Sequence, residues 1–170
     1  MVVRKTSSKV RLVLDPKPLN KALKRSNYQM PTIDDVLPEL SRAKVFSTVD
    51  ARNGYWNLKL DAESRALTTF STPFGRYRWI RLPFGISVSS EIFEARLRTA
   101  LAGLKGVTSI ADDMLCFGCG DTMEEAEADH DRNLIALLDR CRERNLHLND
   151  EKLQLRQEKT IFMGHELSRF

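Results

Sequence analysis

The alternation of apolar and polar residues predicts several short strands in the first half of the chain. Runs rich in β-branched and apolar residues at positions 10–14 and 44–49 are typical of strands. Two further runs of this kind, at positions 67–70 and 77–82, flank the tetrapeptide Thr72-Pro73-Phe74-Gly75. Because proline and glycine suit tight turns, we expect a hairpin there.

Three segments carry the signals of helices. Thr32, with a carboxylate three residues further on, is typical of a helix start, and this helix should end near position 40. Apolar residues recur every three to four positions across residues 91–104, which predicts an amphipathic helix. A longer helix should begin at a cap at Asp121 or Thr122 and continue to about position 144. Helices mixed with hairpins favour an α+β fold, with helices on one face of an antiparallel sheet.

Carboxylates gather at the predicted ends of strands. Two short apolar strands, at positions 107–110 and 114–117, enclose Ala111, Asp112 and Asp113, which predicts a tight hairpin with acidic residues at its tip. Asp50 directly follows the strand at positions 44–49. If the three aspartates meet, their mutual repulsion makes full ionisation unfavourable unless cations lie between them.

This pattern has two interpretations from the residues alone. Oxygen-only ligands suit Mg²⁺ or Mn²⁺, and two such ions in one site are suited to phosphoryl transfer. Aspartate is also an ordinary turn residue, so the alternative interpretation is that Asp50 caps a turn and the doublet occupies a solvated hairpin.

Composition narrows the class of protein. The chain has 170 residues, of which 42% are hydrophobic and 29% charged, the balance of a globular domain. It has no apolar stretch of roughly 18 residues and no signal peptide, which favours an intracellular protein, in the cytoplasm, with no membrane partner. A pI near 9.1 and a basic first 25 residues favour a polyanionic partner. Three cysteines, including the CxxC pair Cys116 and Cys119, lack a second ligand pair for zinc, so we expect reduced thiols.

Four blocks in order carry a family resemblance: FSTVDARNGYW, TPFGRYRWIRLPFGIS, SIADDMLCFG and IFMGHEL. From about position 3 to 168 the chain resembles the reverse transcriptase domain of Ty3/Gypsy-type LTR retrotransposon (retrovirus-like) pol polyproteins. The resemblance implies one reverse transcriptase domain with the palm and part of the fingers of a right-hand polymerase, lacking the thumb. Residues 1–24 and 58–88 would be fingers; residues 25–57 and 89–170 would be palm, ending at a hairpin that resembles the primer grip.

The resemblance also assigns roles to residues. Asp50, Asp112 and Asp113 would be the catalytic ligands of two Mg²⁺ (or Mn²⁺) ions. Tyr55 would lie under the incoming sugar and select deoxynucleotides, although a core tyrosine is the structural alternative. The remaining nucleotide-binding residues would be Arg4, Lys5, Arg11, Phe84 and Lys152, the last near the departing pyrophosphate, and the primer grip would be Met163, Gly164 and His165.

The function implied is RNA-directed DNA polymerase activity on an RNA or DNA template, with a primer strand and dNTPs, in a cytoplasmic retroelement particle. Thumb and RNase H regions of a pol polyprotein are the expected partners in the same polyprotein. Ala111 before the doublet and Val88-Ser89-Ser90 before Glu91 depart from the family pattern, with local consequences expected at the helix start. An inactive relic or domesticated fragment that still binds nucleic acid is the alternative, and another two-metal enzyme such as a nuclease is a third hypothesis.

Overall fold

The computed structural model of the chain describes residues 2–4, 10–25 and 28–168. Contacts divide the chain into two compact units. The first comprises Met1–Tyr28 and Tyr55–Phe93, and the second comprises Gln29–Gly54 and Glu94–Phe170.

The first unit consists of short elements. Its two hairpins are antiparallel, β1 with β2 and β4 with β5, and Val13 forms a bridge to Phe84. Asn20 ties the first helix to the loop at Gly85, because its amide group donates to the Gly85 carbonyl oxygen at 2.9 Å. The elements are β1 (Val2–Arg4), β2 (Val10–Leu12), α1 (Lys17–Ala22), α3 (Ala62–Leu67), β4 (Phe70–Thr72), β5 (Gly75–Tyr77) and the start of α4 (Ser89–Leu101).

The second unit contains an antiparallel sheet of four strands in the order β6-β7-β3-β8 and a separate β9–β10 hairpin. Thr32 and Thr122 each complete a capping box at a helix start. The elements are α2 (Ile33–Leu40), β3 (Ala43–Asp50), β6 (Val107–Ile110), β7 (Asp113–Cys119), α5 (Met123–Glu143), β8 (Gln154–Gln157), β9 (Lys159–Phe162) and β10 (His165–Ser168), with a short 3₁₀ helix at Asp150–Lys152.

The register of β3 against β7 assigns side chains to the two faces of the sheet. Phe46 lies opposite Phe117, and both belong to a core that α2 and the β9–β10 hairpin complete. The neighbouring residue Ser47 is on the other face, where it contacts His130 of α5. Glu94 of α4 reaches the same face, where one of its carboxylate oxygens lies 3.4 Å from Ser109 Oγ of β6. This confirms the predicted α+β fold.

Several predicted boundaries were wrong. The strand predicted at 67–70 begins only at Phe70, as β4, because Asp61 caps a helix that continues to Leu67. The Asp61 carboxylate accepts from the Ser64 N–H at 2.7 Å. The strand predicted at 77–82 instead ends at Tyr77, and only a bridge at Arg81 follows. The predicted turn at Thr72–Gly75 is confirmed.

Other elements differ by a few residues at their ends. The first predicted strand is shorter, at Val10–Leu12, and α4 spans Ser89–Leu101 rather than residues 91–104. The strand after the acidic tip is longer than predicted, Asp113–Cys119, because β3 pairs with it along its full length. The predicted acidic hairpin and the long helix of residues 123–143 are confirmed.

Candidate active site

Asp50 and Asp113 lie directly opposite each other on adjacent strands. Asp50 is the last residue of β3, Asp113 is the first of β7, and the two are Cα partners in the antiparallel pairing. Residues paired in this way place their Cβ atoms about 5 Å apart on the same face. Two aspartates 63 positions apart in sequence are therefore brought together by the sheet.

Asp112 joins them through a two-residue turn. Ile110 pairs with Asp113, so Ala111 and Asp112 alone connect β6 to β7. A turn this tight needs a left-handed backbone at its first position, and Ala111 has φ +58°. The turn holds Asp112 in an exposed position beside its neighbour.

A lysine ammonium group lies against the first aspartate. Lys152, from the 3₁₀ helix, places its Nζ 2.8 Å from Asp50 Oδ2. Asn149 donates its side-chain N–H to the same oxygen at 3.2 Å and its backbone N–H to the Asp50 carbonyl oxygen at 2.8 Å. Since Asp50 is only 8% exposed, this positive charge offsets part of the cost of holding a carboxylate there.

The electrostatics show that the site favours cations. Burial, followed by the charges of Asp112 and Asp50, raises the pKa of Asp113, and Lys152 opposes that shift. The hydrogen bond to Asp50 in turn raises the pKa of Lys152. Besides burial at Asp113, both directions include the effect of the neighbouring carboxylate charges, which added positive charge stabilises.

A pocket of about 110 Å³ connects these carboxylates with the last hairpin. It is lined by Asp50, Asp113 and Lys152 on one side and by Met163 on the other. Met163 and Gly164 form the turn between β9 and β10, with φ of +50° and +81°, and His165 begins β10. The residues predicted to grip a primer thus include one that borders the acidic site.

The side chains at this site carry the type of donor atom that suits a divalent metal ion. Carboxylate oxygens are the ligands that Mg²⁺ and Mn²⁺ favour. Within the described part of the chain, however, no three Asp, Glu, His or Cys side chains lie close enough together to hold a metal ion as they stand. Metal binding therefore requires the carboxylates to turn toward one another, and Lys152 to release Asp50 Oδ2 if that oxygen is used.

The predicted sugar-selecting residue lies in an aromatic cluster of the first unit. The ring of Tyr55 is 4.8 Å from that of Phe84 and 5.8 Å from that of Phe93, between centroids. Tyr55 and Phe84 are both half-buried, so each retains an accessible part. The proximity of Tyr55 to Phe84 was not evident from their separation in sequence.

The basic residues predicted to bind a triphosphate are only partly described. Arg4 lies in β1 opposite Val10, and Arg11 is the next residue of β2, so the two arginines occupy neighbouring positions in one hairpin. Lys5 lies outside the described residues.

The sequence analysis did not identify two residues near the aspartates, Asn149 and Glu94. Asn149 lies in an ordinary polar loop, and only the pairing of that loop with the end of β3 reveals it. Glu94 is fully buried on α4, with one carboxylate oxygen 3.4 Å from Ser109 Oγ of β6. Its other oxygen has no hydrogen-bond partner among the residues that the structure describes. Its place among the apolar positions of an amphipathic helix, next to Phe93, was the signal available in the sequence.

A polar network fastens the strand that follows Lys152. Buried Ser47 and His130 lie 2.7 Å apart, Oγ to Nε2, and the Nδ1 atom of His130 faces Asp131 at 3.1 Å. Arg156 of β8 pairs with Asp131 through its side chain and donates its backbone N–H to Ser47 at 3.0 Å. Although a serine, a histidine and an aspartate meet here, Ser47 is inaccessible, so the network joins α5, β3 and β8 rather than forming a nucleophile.

The cysteines are free thiols, as expected. Burial raises the pKa of Cys116 to about 12, so this thiol is unreactive near neutral pH. No helix in the described part of the chain is long and apolar enough to cross a membrane.

An antiparallel palm-like sheet with paired aspartates at the end of two adjacent strands is the arrangement of a nucleic-acid polymerase core. Residues 3–167 match the family model "Reverse transcriptase (RNA-dependent DNA polymerase)", and the chain belongs to this family. The predicted resemblance is confirmed.

Individual proteins agree with this assignment. The chain is 36% identical over 160 residues to the retrovirus-related Pol polyprotein from transposon 412 of Drosophila melanogaster, covering 93% of this chain and 12% of that polyprotein. It is 32% identical over 164 residues to the enzymatic polyprotein of Cauliflower mosaic virus (strain Strasbourg), covering 96% of this chain and 23% of the relative. Among solved structures, a foamy viral protease-reverse transcriptase dRH in complex with double-stranded DNA superposes with a TM-score of 0.87 at 26% identity, covering 99% of this chain and 29% of that one. The chain thus spans less than a quarter of the length of these two curated relatives.

Proposed function

We propose that this chain is the catalytic core of an RNA-directed DNA polymerase that extends a primer with dNTPs on an RNA or DNA template. The observation that carries the proposal is the pairing of Asp50 with Asp113 beside the Asp112 turn, in a pocket that also reaches Met163. Its family, and the similar foamy viral protein whose structure is in complex with double-stranded DNA, support nucleic acid as the partner.

Asp50, Asp112 and Asp113 would hold two Mg²⁺ or Mn²⁺ ions. When bound, these ions supply activation of the primer 3′-hydroxyl and neutralisation of charge on the triphosphate. The pairing of β3 with β7 holds Asp50 and Asp113 on one face, and the Ala111 turn keeps Asp112 within reach. Met163 and the rest of the β9–β10 turn would support the primer end at the same pocket.

Lys152 would act as the resident counter-ion of Asp50. Its ammonium group and the Asn149 amide both bind Asp50 Oδ2, which leaves Oδ1 for a metal ion. Near the departing pyrophosphate, the same flexible lysine would bind phosphate oxygens once it leaves Asp50.

This role can be tested without measuring catalysis. Replacing Lys152 by methionine removes the competing cation, so we expect Mn²⁺ to bind roughly fivefold more tightly, as for an ion pair worth about 1 kcal/mol. Lys159→Met is a matched control, because the side chains of Lys152 and Lys159 are both 61% exposed and Lys159 pairs with Glu166 away from the site. Titration of free Mn²⁺ by electron paramagnetic resonance provides the measurement, and equal affinities in the two variants would refute the role.

Nucleotide selection would involve the first unit. Tyr55, supported by Phe84 and Phe93, would present its ring to the sugar of the incoming nucleotide and exclude a 2′-hydroxyl. Arg4, Lys5 and Arg11 would bind the triphosphate, for which guanidinium groups are suited. We place this activity in a cytoplasmic retroelement particle, with the thumb and RNase H regions of a pol polyprotein as partners.

The decisive experiment is extension of a labelled oligo(dT) primer on poly(rA) with dTTP and Mg²⁺ or Mn²⁺. We expect extension by the original chain and by Asp139→Asn, which changes an exposed aspartate that pairs with Arg142 on α5. Asp112→Asn should abolish extension. If none of the three proteins extends the primer but all bind it in a salt-sensitive manner, the proposal fails and a nucleic-acid-binding relic is the better description.

A further inference from the structure

The segment from Ser64 to Ser90 has an unusual composition. It contains four arginines and five aromatic residues but no aspartate, glutamate or lysine. Arginine interleaved with aromatic rings, without acidic residues, is the composition of surfaces that bind nucleic acid through phosphate contacts and base stacking. The arginines are Arg65, Arg76, Arg78 and Arg81, and the aromatic residues are Phe70, Phe74, Tyr77, Trp79 and Phe84.

The β4–β5 hairpin presents part of this segment to solvent. Phe74, at the tip, is 89% exposed and Tyr77 is 51% exposed, both high values for aromatic rings. Arg76 and Arg78 are exposed too, and neither has a carboxylate partner among the described residues. Two rings and two guanidinium groups are thus accessible on one short hairpin and on Arg78, the residue that directly follows it.

The hairpin is ordered by its own hydrogen bonds. The Thr72 hydroxyl accepts from the Phe74 N–H at 3.1 Å and donates to the Gly75 carbonyl oxygen at 3.0 Å. Gly75 has φ +129°, a conformation that a side chain would strain. Since the turn is already formed, placing a base on Phe74 requires little ordering of the backbone.

Contacts between aromatic rings connect the hairpin to the rest of the first unit. The ring of Tyr77 is 6.2 Å from that of Phe70, which is 6.3 Å from Trp79, which in turn is 6.0 Å from Trp56. Rings at these distances attract each other and restrict each other's rotation. Tyr77 is therefore the outer end of a continuous aromatic row rather than an isolated surface side chain.

We infer that the β4–β5 hairpin binds unpaired nucleotides of the template strand, with Phe74 and Tyr77 stacking on bases and Arg76 and Arg78 contacting phosphates. Stacking requires a free base face, so paired nucleotides in a blunt duplex do not satisfy it. This surface depends on neither the carboxylates nor metal ions, and it extends the proposed function to a separate binding site.

The test uses fluorescence anisotropy of a labelled single-stranded oligonucleotide of about 12 nucleotides, within the site size of such surfaces, in the presence of EDTA. We expect Phe74→Ala to weaken binding roughly 5- to 100-fold, the range for loss of one stacked base, and Phe74→Leu to weaken it similarly. Phe74→Trp should retain affinity, and its added fluorescence should be quenched on binding. Affinity for a blunt duplex should not change.

Matched controls separate the hairpin from general surface effects. Leu67→Ala removes an apolar side chain that is 63% exposed in the same unit and should bind as the original does. Arg76→Ala should lower the slope of log affinity against log salt by about 0.7, the value for one phosphate contact on a single strand, whereas Arg144→Ala, at an exposed position after α5, should leave it unchanged.

Three outcomes would overturn the inference. Equal binding by Phe74→Ala and Leu67→Ala would exclude stacking at the tip, and full affinity of Phe74→Leu would indicate an apolar contact in place of stacking. A Phe74→Ala variant that differs only in self-association by sedimentation would assign the hairpin to contact with a second copy. Asp112→Asn should bind the single strand normally, so loss of polymerase activity and loss of this site are distinguishable.

Discussion

Glu94 should make the stability of this protein depend on pH near neutrality. Its side chain is fully buried on α4 and accepts a hydrogen bond from Ser109 Oγ at 3.4 Å. Burial raises the pKa of Glu94 to about 7, and nearby Arg98 counteracts this only in part. The folded protein therefore binds this proton more tightly than the unfolded chain, and ionisation of Glu94 opposes folding.

The sign and size of the effect follow from that difference. Below the ordinary pKa of 4.5, Glu94 is protonated in both the folded and the unfolded state and does not lower the free energy of unfolding. Stability is lost as the pH rises toward and through about 7. At about 1.4 kcal/mol per pH unit, the greatest possible loss is about 3 kcal/mol. Water entering around the ionised carboxylate reduces this figure, so we expect a loss of about 1–3 kcal/mol.

Glu94→Gln isolates this contribution, because the amide is nearly isosteric and cannot ionise. Urea unfolding at about pH 4 should give similar stabilities for the two proteins, while at about pH 8 the variant should be more stable by about 1–3 kcal/mol. Glu124→Gln, an exposed control in the first turn of α5, should lack this gain and lose at most about 1 kcal/mol. A difference between Glu94→Gln and the original chain that stays constant across this pH range would refute the reasoning.

Three further substitutions test the supporting structure. Ala111→Gly should raise the free energy of unfolding by about 1 kcal/mol, because glycine adopts the left-handed backbone of this turn without strain; a drop in the urea midpoint would contradict this. Gly118→Ala should lower thermal stability by several kcal/mol, because a Cβ there would lie 2.1 Å from the backbone oxygen of Ala126 on α5; an unchanged melting temperature would show that α5 moves freely. His130→Ala should cost about 2–4 kcal/mol in urea unfolding, because it empties a buried site and removes a partner of Ser47, and a cost below that of an exposed substitution would exclude the network as a support.

Local chemistry determined much of the fold. Thr122 and Glu125 form a capping box from residues that are close in sequence. The spacing of apolar residues along α5 likewise predicts which face of the helix is buried. The acidic hairpin was equally predictable, since two short apolar runs that are separated by only a few residues pair readily as antiparallel strands. Where a local signal was overlooked, the prediction failed: the cap at Asp61 made a helix of residues whose neighbours favour strands.

Ordered blocks of sequence also determined the family, because four motifs at consistent spacing specify a fold more narrowly than any one aspartate pair.

Only the tertiary structure decided which residues share the site. The sheet register set Asp50 opposite Asp113, and the return of the chain after α5 brought Asn149 and Lys152 onto Asp50 from about 100 positions away. Such contacts join residues far apart in sequence, so the periodicity of apolar residues does not predict them. Burial decided the rest: Glu94 and Glu124 are the same residue type on helices, and only the packing around Glu94 makes its proton hard to remove.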